Sequence, residues 1–188
     1  MAIVKLNPAF DEIRGRFGNL VFKKLRDREY MAHMPDLTGR TVSDAQKAVR
    51  DKFRRAAWYG KAVIADEQAR QLYEDLAKSR NQALFSLIMQ DFLTDPRIEE
   101  MDLSGYSGQT GEKIFVLATD NVEVASVRVA ISRESGEPIE SGAAVKDAAD
   151  PVRWMYTTTS SAPPGAPVKI QVSVTDRPGH TVTKTQTK

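Results

Sequence analysis

The spacing of apolar residues changes near residue 95, and this change limits what the chain can fold into. Before it, apolar residues recur every three to four positions, which is typical of helices. After it, apolar residues alternate with polar ones, and turn residues separate short runs. Thr94, Asp95 and Pro96 mark the change, because the residue before a proline avoids helical backbone angles. A chain of 188 residues has room for one domain or two small ones.

The predicted fold class is therefore α+β with two domains. Residues 1–95 are expected to form a β-ribbon and a three-helix bundle, and residues 113–188 an antiparallel β-sandwich. Residues 96–112 are expected to be a linker into the second domain, because glycine and serine are frequent over 104–111.

Three amphipathic helices are predicted in the first domain. Ser43 and Gln46 form a capping-box pattern, which begins a helix that runs to about Ile64. A second helix starts at Asp66, and a third covers 81–93. The apolar stripe of the first helix has helical spacing and consists of Val49, Phe53, Ala56, Ala57, Gly60, Val63 and Ile64.

A short β-ribbon is predicted before the helices. Its two strands, 17–24 and 29–34, flank a turn, and residues 2–6 form a further short strand. Both faces of the ribbon are apolar, with Leu20 and Phe22 on one face and Val21 on the other. An isolated ribbon of two strands is marginally stable in water. Open strand edges also recruit other chains. We therefore expect the ribbon to be a docking element. The expected assembly interface consists of Phe17, Leu20, Val21, Phe22, Tyr30 and Met31.

Six short strands are predicted in the second domain. β-Branched and aromatic residues are frequent in each strand, and turn residues separate them. Val127, Val129 and Ile131 are the expected core face of the second strand. Six strands over about 80 residues predict an antiparallel sandwich. The runs are 114–119, 122–131, 139–145, 152–158, 168–175 and 181–187.

Two resemblances to known families accompany this pattern. The stretches LATDNVEVASVRVAI, WMYTTT and PVKIQVSVTDRPGHTVTKTQT resemble a bacterial immunoglobulin-like domain over roughly 103–187. Trp154, Tyr156, Asp176 and Gly179 occupy the positions that this pattern favours. The resemblance implies an Ig-like sandwich and no particular activity, because this fold supports binding, spacing and assembly alike.

The first half resembles an uncharacterised bacterial domain family of unknown function. This second resemblance implies neither an activity nor site residues. The residues that carry it are Gly15, Gly18, Asn19, Val21, Phe22, Lys23, Lys24, Pro35, Ala45, Gln46, Arg50 and Phe53.

No pattern typical of an enzyme is found, so we expect no catalytic residues, no cofactor and no metal. The chain contains no cysteine, which excludes thiolate ligands and cysteine nucleophiles. Its two histidines, His33 and His180, lack the neighbouring ligands that zinc requires. The glycine-rich stretch 105–113 lacks the Gly-Lys-Ser/Thr of a phosphate loop. Asp120 and Asp176 end strands and are expected to bond turn backbone; a calcium ion shared between them is the alternative.

Positive charge is concentrated at the N-terminal end. Residues 1–60 contain 13 Lys and Arg against 7 Asp and Glu, whereas the net charge of the chain is only +2. This basic surface could contact phosphates, which makes a nucleic-acid-associated protein the alternative function. It is not favoured, because acidic residues are interleaved and the remaining chain is slightly acidic. Its residues are Arg14, Arg16, Lys23, Lys24, Arg50, Arg54 and Arg55.

The expected function is that of a non-enzymatic structural subunit. It self-associates or docks in a larger particle or filament, with copies of itself or other subunits as partners. A surface-binding Ig-like module ranks lower, because Trp154 and Tyr156 alternate as core residues do. The chain has no run of about 18 apolar residues that would span a membrane. The opening residues are too short an apolar run for a signal peptide, so we expect cytoplasmic synthesis.

Overall fold

The computed structural model describes residues 2–3, 15–25, 28–39, 41–163 and 165–188. The chain divides into two compact units, Met1–Asp44 and Ala45–Lys188. The three helices therefore belong to the second unit together with the later strands. The sequence instead predicts the helices in one domain with the ribbon and places the boundaries at residues 95 and 112. Helices and open antiparallel sheets make the fold class α+β.

The first unit contains a four-stranded antiparallel sheet with the order β1-β4-β3-β2. The predicted ribbon is present, but its first strand is split in two. Gly18 and Asn19 form a two-residue turn that brings Phe17 opposite Leu20, and the left-handed backbone of Gly18 (φ +57°) suits glycine there. The strands are β1 (Ala2–Ile3), β2 (Gly15–Phe17), β3 (Leu20–Leu25) and β4 (Arg28–His33).

Three helices begin the second unit, close to the predicted positions: α1 (Asp44–Ala65), α2 (Glu67–Ser79) and α3 (Leu84–Leu93). The side chain of Asp66 caps α2, because its carboxylate accepts hydrogen bonds from the backbone of Gln68 and Ala69. None of the helices that the structure describes is long and apolar enough to cross a membrane. The buried cluster of this helical layer consists of Val63, Tyr73, Ala77, Leu87 and Ile88, with Val122 of a later turn packed against it.

The apolar stripe of α1 is covered over only part of its length. Ala56, Gly60 and Val63 are buried, as the sequence predicts, whereas Val49 and Phe53 are 58% and 52% exposed. Helix α1 has 22 residues, against 13 in α2 and 10 in α3. At 1.5 Å per residue it is about 33 Å long, so these shorter helices cannot cover it completely.

Two four-stranded antiparallel sheets form the rest of the second unit. One has the order β5-β6-β10-β9 and the other β12-β11-β7-β8. A single buried cluster draws residues from both sheets, so the two sheets pack face to face as a β-sandwich. The strands are β5 (Arg97–Asp102), β6 (Lys113–Thr119), β7 (Val124–Arg133), β8 (Pro138–Ala143), β9 (Val145–Lys146), β10 (Arg153–Thr157), β11 (Val168–Asp176) and β12 (Thr181–Thr187).

The sandwich core confirms the predicted core face of β7. Val127, Val129 and Ile131 are buried. Val124 is buried as well, although strict alternation places it on the other face. The pairing of β7 with β11 shifts its register beside Val124, and such a bulge returns a residue to the core side.

The predicted linker contributes to the sandwich. Strand β5 pairs with β6, and Leu103 and Tyr106, which follow β5, are buried in the sandwich core. The glycines and serines of this segment form the turns after the strand and do not separate two domains. Charged residues obscured β5 in the sequence, because its only buried side chain is that of Met101.

Candidate functional site

In the part of the first unit that the structure describes, the sheet has no buried core of its own. Every side chain that the structure describes between residues 15 and 43 is at least partly exposed. Sheets of this size are stable when at least one face is covered. The described part of this unit therefore presents apolar side chains that remain in contact with solvent.

One face of this sheet carries four of the six predicted interface residues. Phe17 lies opposite Leu20, and Phe22 lies opposite Met31. The Phe17 side chain is 79% exposed, and the other three are half-buried. Because cross-strand neighbours share a face, these residues form one continuous apolar patch, which we call the apolar face.

The other face mixes apolar and basic side chains. Val21 lies opposite both Arg16 and Ala32, and Lys23 lies opposite Tyr30. The predicted interface residues Val21 and Tyr30 are therefore on the opposite side of the sheet from the apolar face. Their separation agrees with the predicted ribbon, in which Leu20 and Phe22 share one face and Val21 lies on the other.

The predicted basic surface is distributed over both compact units. Arg16, Lys23 and Lys24 are exposed in the first unit, and Arg14 lies outside the described residues. The remaining three predicted residues, Arg50, Arg54 and Arg55, are exposed on α1 in the second unit.

Two of these arginines have partners within their own unit. Arg16 donates from Nε to the carbonyl oxygen of Gly18 at 2.9 Å. Arg54 pairs with Asp51 at 2.7 Å. Both pairs are exposed, so they contribute little to stability.

Asp120 and Asp176 bond turn backbone, as the sequence predicts. The Oδ2 atom of Asp120 accepts hydrogen bonds from the backbone N–H groups of Val122 and Glu123, both at 3.2 Å. Asp176 is buried, and its Oδ1 accepts from the backbone of His180 at 2.6 Å while Oδ2 lies 2.9 Å from His180 Nδ1. Both oxygens of Asp176 are thus engaged.

Among the described residues, Asp120 and Asp176 do not belong to a larger cluster of metal-ligating side chains. In the part of the chain that the structure describes, no group of three or more His, Cys, Asp or Glu is placed to hold a metal ion. The other predicted histidine, His33, is exposed in the first unit. The two histidines lie in different compact units.

A buried polar cluster joins the three helices, and the sequence analysis did not predict it. The hydroxyl of Tyr73 on α2 donates to Oδ2 of Asp91 on α3 at 2.5 Å. The hydroxyl of Tyr59 on α1 lies 3.0 Å from that of Tyr73. Both Tyr73 and Asp91 are fully buried. We call these three residues the tyrosine–aspartate chain.

The signal for this chain was present in the sequence of α3. Leu87, Ile88 and Asp91 have the three-to-four spacing of one helix face, and the structure buries all three. A single carboxyl group on an otherwise apolar face requires a polar partner from another element. A search for such residues would have selected Asp91, although not its partners.

The environment of Asp91 favours the protonated carboxyl. The pKa of Asp91 is raised to about 7, mainly by burial and also by the negative charges of Asp120 and Asp176, whereas the hydrogen bond from Tyr73 opposes the shift. Burial also raises the pKa of both tyrosines, so neither hydroxyl ionises near neutral pH. The tyrosine–aspartate chain thus consists of two neutral hydroxyls and one carboxyl group that titrates near neutral pH.

Comparisons with known proteins identify no family for this chain. No family model matches it, and no curated protein matches it significantly. Among solved structures, it is similar to CopC from Methylosinus trichosporium OB3b, with 16% sequence identity and a TM-score of 0.36. The matched region covers 50% of this chain and 89% of that chain. This similarity is too low to support an argument about function.

Proposed function

We propose that this chain is a non-enzymatic subunit that self-associates, or docks in a larger particle or filament, through the sheet of its first unit. The observation that supports this proposal is the apolar face, where Phe17, Leu20, Phe22 and Met31 lie together without a buried side chain. Contiguous exposed apolar surface is typical of protein interaction sites. A second copy, or another subunit, would supply the missing cover.

The strand edges of this sheet offer a second means of contact. Among the described residues, β1 pairs with only Tyr30 and Met31 of β4, and β2 pairs with Leu20–Phe22 of β3. The outer sides of both central strands therefore extend beyond the short strands that cover them. A strand from a neighbouring subunit can pair with such edges and give affinity through backbone hydrogen bonds.

The second unit would then be the body of the subunit. We interpret its sandwich as Ig-like, on the pattern around Trp154, Tyr156 and Asp176, and the whole chain as a bacterial structural protein made in the cytoplasm. Particles and filaments repeat such rigid modules.

The proposal is tested with a matched pair of substitutions. Phe17→Asp places a charge on the apolar face, and Val145→Asp places the same charge on β9 at a residue that is 67% exposed. Light scattering should show that the unmodified chain associates as its concentration rises. Loss of an aromatic anchor weakens association by about 2 kcal/mol or more, which is roughly 30-fold.

Phe17→Asp should weaken self-association by this factor, and Val145→Asp should leave the strength of self-association unchanged. A chain that stays monomeric at all concentrations would contradict self-association. Equal effects of the two substitutions would show that the apolar face is not the contact.

A second candidate function, association with nucleic acid, is favoured by one observation. Helix α1 contains six Lys and Arg and only two Asp in 22 residues. Binding to a DNA duplex should then weaken with salt, with a slope of about 0.9 per phosphate contact. Replacing Arg50, Arg54 and Arg55 with Gln should lower that slope by about 3 if each arginine contacts a phosphate. An unchanged slope, or no binding at low salt, would contradict this candidate.

A further inference from the structure

Two carboxylate oxygens, one on α3 and one on the turn between β6 and β7, are buried without a hydrogen-bond donor among the described residues. Among the described residues, neither Oδ1 of Asp91 nor Oδ1 of Asp120 has a hydrogen-bond partner. Asp120 belongs to the turn between β6 and β7, and Val122 of the same turn packs against the buried cluster that contains Leu87 and Ile88 of α3. The negative charge of Asp120 acts on the Asp91 carboxyl group. An unpaired carboxylate oxygen is strongly unfavourable away from water, so two adjacent ones need a common explanation.

The other oxygen of each carboxyl group is already engaged. Asp91 Oδ2 accepts from the hydroxyl of Tyr73, and Asp120 Oδ2 accepts from two backbone N–H groups of its own turn. One oxygen remains on each residue. A single proton satisfies both, because a protonated carboxyl donates a hydrogen bond and a carboxylate accepts it.

We propose that Asp91 and Asp120 share one proton, and that this hydrogen bond is a pH-sensitive latch between α3 and the turn that joins β6 to β7. Asp91 carries the proton, because it is fully buried and receives only a hydroxyl hydrogen bond. Asp120 is the acceptor of the shared hydrogen bond, because its other oxygen already accepts from two backbone N–H groups of its turn. This hydrogen bond connects the helical layer to the sandwich.

The neighbouring groups also favour a protonated Asp91. The carboxylate of Asp176 adds negative charge from the end of β11 and raises the pKa of Asp91, although His180 binds both oxygens of Asp176. Titratable and charged groups surround the pair from several elements. They are Tyr59 of α1, Tyr73 and Arg80 of the α2 region, Asp95 after α3, Arg97 and Glu99 of β5, Asp176 of β11, His180 and Arg177 of the turn after β11, and Glu123, which pairs with Arg177.

The latch should open as the pH rises through neutrality. The pKa of Asp91 is about 7 in the folded chain, against 3.8 for an ordinary aspartate. Between these values the folded state holds one more proton than the unfolded state, so stability falls as the pH rises and levels off above about 7. Ionised Asp91 then faces ionised Asp120 in a buried site, and α3 is repelled from the turn.

Thermal unfolding at pH 5.5 and pH 8.5 tests the latch. For the unmodified chain, the melting temperature should fall by about 5 °C between the two values because of this pair. Asp91→Asn should remove that fall, since its amide donates to Asp120 at every pH while its oxygen still accepts from Tyr73. At pH 8.5 the variant should therefore melt higher than the unmodified chain.

Asp75→Asn is the control, because it removes an exposed carboxyl group from α2. It should keep the full pH dependence of the unmodified chain. If Asp91→Asn and the unmodified chain change in parallel with pH, the latch does not exist.

A direct titration keeps the proposal testable if the variant folds poorly. The chemical shift of the Asp91 carboxyl carbon, followed by NMR in the unmodified chain, should change with a midpoint near pH 7. Asp120→Asn should move that midpoint down, because it replaces a negative neighbour with an amide donor. A midpoint near 4 in the unmodified chain would overturn the proposal.

Discussion

Replacing Tyr73 with phenylalanine should destabilise the second unit more than its small chemical change suggests. The ring stays in place, so no cavity is created. The hydroxyl, however, takes part in two contacts, to Asp91 Oδ2 at 2.5 Å and to the Tyr59 hydroxyl at 3.0 Å. Its loss leaves the second oxygen of Asp91 buried without a donor.

The magnitude follows from these two losses. Leaving a buried acceptor unsatisfied costs about 1–3 kcal/mol, and a neutral hydrogen bond contributes about 1 kcal/mol. We expect the free energy of unfolding to fall by about 2–3 kcal/mol. The hydrogen bond from Tyr73 also lowers the pKa of Asp91, so its removal should raise that pKa and make the loss larger above pH 7 than below it.

Tyr59→Phe is the matched control. Tyr59 is half-buried, and among the described residues its hydroxyl has a hydrogen bond with the Tyr73 hydroxyl alone, so we expect a loss of about 1 kcal/mol or less. Urea unfolding followed by circular dichroism measures both variants and the double variant. Because the two hydroxyls are in contact, the losses of unfolding free energy from the two single substitutions should not add up to the loss in the double variant. If Tyr73→Phe changes the free energy no more than Tyr59→Phe, the inferred role of the Asp91 contact is wrong.

Two further predictions concern the sandwich and its loops. In Gly142→Ala the new Cβ would lie 2.8 Å from the ring of Tyr156, which is buried in the sandwich core and can shift only by disturbing its neighbours. We therefore expect a loss of about 1–3 kcal/mol in thermal unfolding. Gly60→Ala in α1 is the control. Its new Cβ would lie 2.8 Å from the ring of Phe85, which is partly exposed and can move, and alanine favours the helix. The free energy of unfolding should therefore change little. Glu112 is the second case: hydrogen bonds from the hydroxyl and backbone of Ser107, and from the following backbone N–H groups, hold its pKa below the ordinary value. The stability that ionised Glu112 contributes is present above pH 4.5 and is lost as the pH falls below that value. Glu112→Gln should therefore make the free energy of unfolding less sensitive to acid below pH 4.5. An unchanged acid transition would contradict this role.

The elements that could be predicted are those with a regular apolar period. The bounds of α1 followed from its stripe and from Ser43, and the core face of β7 followed from alternation at Val127 and Val129. In each case the local sequence determines both the element and its buried side. The α+β class and the two-faced ribbon could be predicted for the same reason.

The remaining features depend on partners that are distant in the sequence. Strand β5 is charged and exposes most of its residues, so only its pairing with β6 identifies it as a strand. The burial of Val124 depends on a register shift against β11. Asp91 and Asp120 are 29 positions apart, and nothing local indicates that the fold brings their carboxyl groups together.

The position of β5 has a practical consequence for dividing the chain. Only residues 94–96 separate the end of α3 from this strand, and β5 forms one edge of its sheet. A fragment that begins at residue 113 would turn β6 into an exposed edge and delete Met101, Leu103 and Tyr106 from the core. Such a fragment should expose a row of unpaired backbone groups and aggregate. Any fusion or domain exchange that aims to carry the sandwich must therefore start before Arg97.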